Sequence, residues 1–428
     1  AKRLQSDIDV YHNFALGLTN WTRGVSFSSV EGHDFLGGDF YGGREEQLVI
    51  SRLMLNLSPG RPVEFMTTIA GNLAEHEQLK SPQVLQTQNL AATACSSAYL
   101  MIAAVDPDGG MNPEMFERCR LSFDEAQRYE SFLGGDPIED VVVYFSDASK
   151  MSFAENGRSV SDALGASPMN YPHYESAKGA AAKLQAAHLA FGIISKKQLA
   201  KLDNYRVIIL PNVLRMDSTE IDAFRDYVAG GGRVYASAFT SLTDCAGKRF
   251  SDFAMADLFG CHYEHTEQGL MIHMQPSASL PTEAIARQRY LTHWIGEATQ
   301  PAVLRLAEDP DAETLMSLSL PYGYPDKGHV EGRNWASIHS SPPWLETRHP
   351  VVVRNRYGEG EVIYSAAAIE TGSSAAHTAL FNHLVDSLLN STWRIRASAA
   401  DDILLTAFDQ PDRRRWMLSL LDLGKETQ

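Results

Sequence analysis

DFLGGDFYGG (34–43), RPVEFMTT (61–68), EHEQLKS (75–81) and AYLMIAAVDPDGG (98–110) follow one another along the chain. The second and fourth share one form, a short apolar run that breaks off at small polar or charged residues. A buried parallel strand ends in that way, and in (β/α) folds the loops just past such ends carry the chemistry. Between the runs stand the helical patterns EEQLVISRLMLNL (45–57), HEQLKSPQVLQTQNLAATACSS (76–97) and NPEMFERCRLSFDEAQRYESF (112–132), the last stopped by Gly134 and Gly135. The segment therefore reads βα three times, which predicts the C-terminal part of a (β/α)8 barrel with Glu64 inside one of its strands.

Upstream, apolar Ile8, Tyr11, Phe14 and Ala15 predict a helix over 6–18, and GVSFSS (24–29) a short strand entering a glycine-rich loop through Gly43. A chain that opens in mid-pattern in this way is expected to lack an upstream part. Downstream, VVVYFS (141–146) opens a second set of elements. KGAAAKLQAAHLAF (178–191) reads as a helix, and YRVIILPNV (205–213) as a strand buried on both faces. Ser218 is the expected cap of the helix 218–229, Gly230 to Gly232 end it, and RVYASA (233–238) is the next strand. This alternation predicts a doubly wound, Rossmann-like α/β domain. The tail, 395–423, reads as two strands about a turn at Gln410–Arg413, too little for a domain by itself. The expected division is a barrel part over 1–136, a Rossmann-like (glutamine-amidotransferase-like) domain over 137–391, and the start of a small β-domain over 392–428.

Composition narrows the function classes. Of the 428 residues 44% are hydrophobic and 21% charged, as in ordinary globular proteins, and the formal net charge is −16. That charge, with no Lys/Arg cluster to offset it, argues against nucleic acid as a partner. Cys95, Cys119, Cys245 and Cys261 lie far apart without CxxC spacing, so free and mostly buried thiols are expected. No apolar run approaches the roughly 18 residues of a membrane span. The N-terminus is not built like a leader. A cytoplasmic location is the expectation, with a secreted or periplasmic one left open by the abrupt start.

The residues GGDFYGG (37–43), VEFMTTI (63–69), LKSPQVL (79–85) and AVDPDGG (104–110), in that order and spacing, resemble the α-L-fucosidases of the glycoside hydrolases. The stretch 205–240 and GEGEVIYSAAAIE (358–370) resemble the trimerisation domain that follows the barrel in trimeric bacterial β-galactosidases. Together the resemblance covers about residues 1–390, and the tail resembles the start of the C-terminal β-domain of those enzymes. It implies a retaining, exo-acting glycosidase without cofactor, assembled as a trimer or a multiple of one. There are departures. The fucosidase nucleophile, an Asp on an earlier strand, has no match here. Gly43-Arg44 stands where a Pro-Glu is found in the family, Val63 replaces a Trp, and Thr67 occupies the position closest to the β-galactosidase nucleophile.

Glu64 is the candidate catalytic residue, since a carboxylate inside an apolar strand is costly to bury unless paired or functional. A retaining glycosidase needs two carboxyl groups about 5–5.5 Å apart. Asp39, Asp34, His33, Tyr41 and Glu31 are candidate sugar contacts, because carboxylates bind hydroxyls and aromatic rings stack on sugar faces. The other reading of those aspartates is turn capping. His76 is a candidate rim contact or a helix-cap neighbour. Asp106 and Asp108 are expected to serve turn chemistry. Cys261-His262-x-x-His265 lacks the spacing of a closed zinc site, so no metal is expected. Three readings stay open at this stage: a fucosidase, a β-galactosidase or other exo-glycosidase on the same scaffold, and a carbohydrate-binding or assembly protein that lacks the carboxylate pair.

Overall fold

Three parallel strands, each followed by a helix, make up the first part of the chain. They are β1 (Leu36–Asp39), α1 (Arg44–Leu57), β2 (Val63–Thr68), α2 (Pro82–Ala94), β3 (Ala98–Ile102) and α3 (Pro113–Gln127). The sheet order is β1-β2-β3, with Gly37 opposite Glu64 and Glu64 opposite Ala98. This is the repeating unit of a (β/α)8 barrel, as expected. The computed structural model describes residues 7–11, 13–14, 26–61, 63–72, 74, 77–151, 172–267, 271–280, 283–286, 288–293, 300–308, 311–321 and 342–424. These fall into two units: Ala1–Asp140 with Leu184–Ser195 and Ile395–Gln428, and Val141–Lys183 with Lys196–Arg394.

Capping sets where the helices of the first unit begin. Ser81 accepts the Val84 N–H and Pro82 takes the first helical position, so α2 starts after HEQLK rather than within it. Asn112 and Pro113 do the same for α3. That helix stops at Gln127, short of the glycines, and a 3-10 turn at Glu130–Phe132 follows.

The N-terminal expectation is corrected. Residues 7–11 and 13–14 are not helical. Asn13 pairs in parallel with Gly37, and the Phe14 N–H donates to the Gly37 carbonyl (3.0 Å), so the segment lies along β1. The edge of β1 offered backbone partners that a helix would have left unused. Residues 6, 12 and 15–18 of the expected helix lie outside the described residues, as do residues 24 and 25 of the expected strand. Residues 27–29 of that strand are not extended: Ser26 caps a 3-10 helix, Phe27–Gly32, through its hydroxyl. Gly37 and Gly38, expected in a loop, are strand residues.

The tail is a hairpin, Ile403–Gln410 against Arg415–Asp422, with Asp136–Pro137 paired on its other side. Leu404 and Leu423 share a buried cluster with Leu48 of α1 and Ala91 and Ala94 of α2. Arg44 donates to the carbonyls of Leu423 (2.8 Å) and Gly424 (2.7 Å). These contacts give the two strands the partner that a lone hairpin lacks.

In the second unit Val141–Tyr144, Val207–Leu210, Arg233–Ser237 and Gly360–Ser365 run parallel and adjacent in that order. Pro343–Tyr357, Glu313–Pro321, His273–Pro276 and Tyr290–Leu291 extend the sheet antiparallel. Val141–Tyr144 and Val207–Leu210 are wholly buried, as the doubly wound reading requires. The cap of the helix Ser218–Ala229 is Asp217, not Ser218. It forms a capping box with Glu220, and Gly230 ends the helix. All four cysteines are free, and Cys95 and Cys261 are buried. Among the described residues no helix is long and apolar enough to cross a membrane.

His173 is buried in this unit. Its Nε2 accepts the Ser146 N–H (2.9 Å), and its Nδ1 donates to the Pro211 carbonyl (2.8 Å). A backbone N–H can only donate and a carbonyl only accept, so the ring is neutral, and burial lowers its pKa from 6.5 to about 4. The folded state then binds fewer protons than the unfolded state between those values. Stability is fully present above about pH 6.5 and falls by about 3 kcal/mol as pH drops toward 4. Thermal melts at pH 7 and pH 4 should show a smaller acid loss for His173→Gln than for the parent.

Candidate active site

The pleat of β2 assigns its side chains to two faces. Val63, Phe65 and Thr67 share the buried face. There Phe65 stacks on Phe40 (5.3 Å) and Tyr99 (6.3 Å), the Tyr99 hydroxyl donates to Gln88 of α2 (3.2 Å), and the Lys80 amine reaches Thr67 (3.4 Å). Burial lowers the Lys80 pKa to about 8. Thr67 is thus committed to the helix side and does not face the carboxylates. Glu64 and Met66 project from the opposite face. Asp39, the last residue of β1 and the partner of Met66, shares that face because paired positions of a parallel sheet point the same way. Glu64 lies two residues deeper, about 7 Å along the strand.

The partners of both carboxylates are neutral. The Tyr11 hydroxyl donates to Glu64 Oε1 (3.2 Å). The Asn13 amide donates to Asp39 Oδ1 (2.9 Å), and the Asp39 N–H donates back to Asn13 Oδ1 (3.3 Å). Tyr41 is hydrogen-bonded to Asp39, and its pKa is pushed up to about 12 by burial, that bond and the Asp39 charge. The Tyr11 phenol is held well above its usual range by burial first, then by the charge and hydrogen bond of Glu64 and the charge of Asp39. One phenol therefore lies in the field of both carboxylates. Met66, Leu100 and Ile102, half-buried on the same face, add an apolar strip beside them.

Of the residues singled out from sequence, Glu64, Asp39 and Tyr41 meet here. Asp34 is engaged elsewhere: its carboxylate accepts the Val10 N–H (2.7 Å) and its own N–H donates to Val10 (2.9 Å). The His33 ring lies edge-on to Phe14 (4.6 Å). Both hold the N-terminal segment in place. Glu31 is exposed on the 3-10 turn. His76 lies outside the described residues. Asp106 and Asp108 close the expected turn, with Gly109 and Gly110 donating to them. Tyr11, Asn13 and Gly37 were not found from sequence. The signal available was the i, i+2 spacing of Tyr11 and Asn13, a strand period inside an assumed helix.

The second unit brings Asp217, Glu220 and Cys245 within 4.8 Å of one another. That group is accounted for by the capping box and by Lys196, whose amine bonds Asp217. Cys261, His262 and His265 lie on one strand, where His262 pairs with Asp252 (2.7 Å).

No protein-family model matches the chain, and no curated protein does. Solved structures match it at low identity. The α-L-fucosidase isoenzyme 2 from Paenibacillus thiaminolyticus superposes with a TM-score of 0.73 at 16% identity, over 98% of this chain and 58% of that one. The beta-galactosidase from Bacillus circulans sp. alkalophilus gives 0.69 at 16%, over 95% and 56%. A catalytic mutant of a GH42 beta-galactosidase from G. stearothermophilus gives 0.70 at 12%, over 96% and 57%. The chain thus spans somewhat over half the length of these proteins. The likeness is one of fold, and it establishes the α/β architecture with its barrel-type βα units.

Gly37 controls the space of the site. A Cβ there would lie 2.9 Å from Tyr11 Cε2, 3.0 Å from Glu64 Cβ and 3.1 Å from Glu64 Oε1. Gly37→Ala should cost about 1–3 kcal/mol in urea denaturation. Parent-like stability would mean that the Tyr11 ring is free to move aside.

Proposed function

We propose that the chain carries the closing part of a retaining, exo-acting α-L-fucosidase that releases terminal fucose from oligosaccharides. The observation that carries this reading is the placement of Asp39 and Glu64 on one face of a parallel sheet, both next to Tyr11 and both with neutral partners. A site of carboxylates, phenols and an amide suits an uncharged polyol. The half-buried Met66, Leu100 and Ile102 suit the apolar face of a sugar ring. The motif order, and the fold shared with the Paenibacillus α-L-fucosidase, support the same reading.

In this scheme Glu64 is the acid/base. It protonates the glycosidic oxygen as a carboxylate nucleophile attacks the anomeric carbon, then takes a proton from the water that frees the sugar. Asp39 and Tyr41 bind sugar hydroxyls. The resemblance puts the nucleophile on an earlier barrel strand, and no residue here is assigned to it. We also propose the domain division 1–136, 137–391 and 392–428, and a homo-oligomer built through the Rossmann-like domain. A monomer by light scattering would count against that assembly.

A second reading, β-galactosidase, is favoured by TM-scores of 0.70 and 0.69 beside 0.73, too close to separate the two. The experiment is release of p-nitrophenol from the aryl α-L-fucoside and the aryl β-D-galactoside by the protein with its barrel complete, the nucleophile strand included. The expected result is turnover of the fucoside, with Glu64→Gln lowering kcat by about 100-fold or more. Turnover of the galactoside alone would move the assignment to the second reading. Sugar binding without turnover would leave a carbohydrate-binding protein.

A further inference from the structure

Each of the two carboxylates has a hydrogen-bond partner that comes from outside the three βα units, Tyr11 for Glu64 and Asn13 for Asp39. Tyr11 reaches Glu64 with its hydroxyl while its ring lies flat on Phe35, with centroids 4.7 Å apart and planes 8° from parallel. Two residues on, Asn13 forms its reciprocal pair with Asp39. Tyr11 and Asn13, two residues apart in sequence, thus address one acid each. The segment is fastened on either side of Tyr11. Val10 and Asp34 exchange two hydrogen bonds, and Phe14 donates to Gly37. Gly37, by lacking a side chain, leaves the room in which ring and carboxylate meet.

We infer that Val10, Tyr11, Asn13 and Phe14 act as a clamp in which Tyr11 is the positioning residue for Glu64 and Asn13 the positioning residue for Asp39. A glutamate on a strand turns about several single bonds. A donor fixed by ring stacking and backbone bonds selects one arrangement before substrate arrives, which removes that ordering cost from the reaction. The phenol suits this task because burial and the two charges keep it protonated, hence a donor, at any pH at which the carboxylate works. The hydroxyl need not touch substrate. The kinetic consequence of the clamp rests on the glycosidase reading; the clamp itself does not.

The test has two arms on the full chain. In the first, tyrosines carry 13C at Cζ, and the Tyr11 resonance is assigned by its loss in Tyr11→Phe. Glu64→Gln and Asp39→Asn should each move that resonance at neutral pH, while Glu114→Gln, on an exposed salt bridge of α3, should leave it in place. A Tyr11 resonance indifferent to Glu64→Gln would overturn the clamp, whatever the activity. In the second arm, Tyr11→Phe should lower kcat on the aryl fucoside by roughly 10- to 100-fold, with KM within about twofold and an unchanged melting temperature. A parent-like kcat, or a loss confined to KM, would overturn the positioning role. If the parent turns over no aryl glycoside, the hydrolase reading fails and the first arm still decides the clamp.

Discussion

The pleat of Val63–Thr68 is the constraint on which the first unit depends. Phe65, wedged between Phe40 and Tyr99, must face the helices. Full burial of such a ring stabilises by about 1.5–3 kcal/mol. Once Phe65 is committed to that side, Glu64 has no choice but the other. A slip of one residue would drive the carboxylate into the apolar layer and the phenyl ring out of it. The packing energy of the core thereby sets the direction in which the candidate acid points. Val63 and Thr67, both buried on the helix side, reinforce the same register.

The same sorting explains why Thr67 and Glu64 differ in character although both lie on β2. Thr67 meets Lys80 in a layer where burial already weakens the charged form of the amine. Glu64 faces a hydroxyl supplied by another segment. Gly37 leaves the room in which that hydroxyl and Glu64 meet. It sits opposite Glu64 in the ladder, and a side chain there would collide with both Tyr11 and Glu64.

The second unit buries polar groups under a different logic. Glu370 is wholly buried, and burial raises its pKa, yet its two oxygens accept from the Tyr235 hydroxyl (3.1 Å) and the Ser237 hydroxyl (2.5 Å). Glu220 takes the Tyr144 hydroxyl (2.5 Å) while completing the capping box of its helix. His173 ties two strand ends together by its ring nitrogens. These ionisable groups are matched to donors and acceptors of the sheet itself, as buried polar groups in a scaffold must be. Glu64 and Asp39 in the first unit differ in being only half-buried and in facing away from the helices that cover their sheet.

The short apolar runs at 63–68 and 98–102, the helical patterns between and after them, and the continuous apolar strand within 205–213 were legible in the sequence. They rest on local physics: the period of the pattern and the burial of an unbroken apolar strand. Glu64 was legible as well, because a lone carboxylate in such a run stands out against its neighbours. The placement of residues 7–11 and 13–14 was not. Ile8, Tyr11 and Phe14 satisfy a helical spacing, and only the open edge of β1 made extended backbone the better answer. Tyr11 and Asn13 as partners of Glu64 and Asp39 were therefore invisible, for each contact spans 26 to 53 residues of chain. Asp34 and His33 were recognised as polar residues in a meaningful loop, but tertiary contacts turned them to holding that segment. The sequence by itself determined the run of helices and strands from α1 to α3 and which acid stands inside a strand. Only the tertiary structure decided which groups meet that acid, because pairing across a sheet depends on register and on segments that local pattern does not connect.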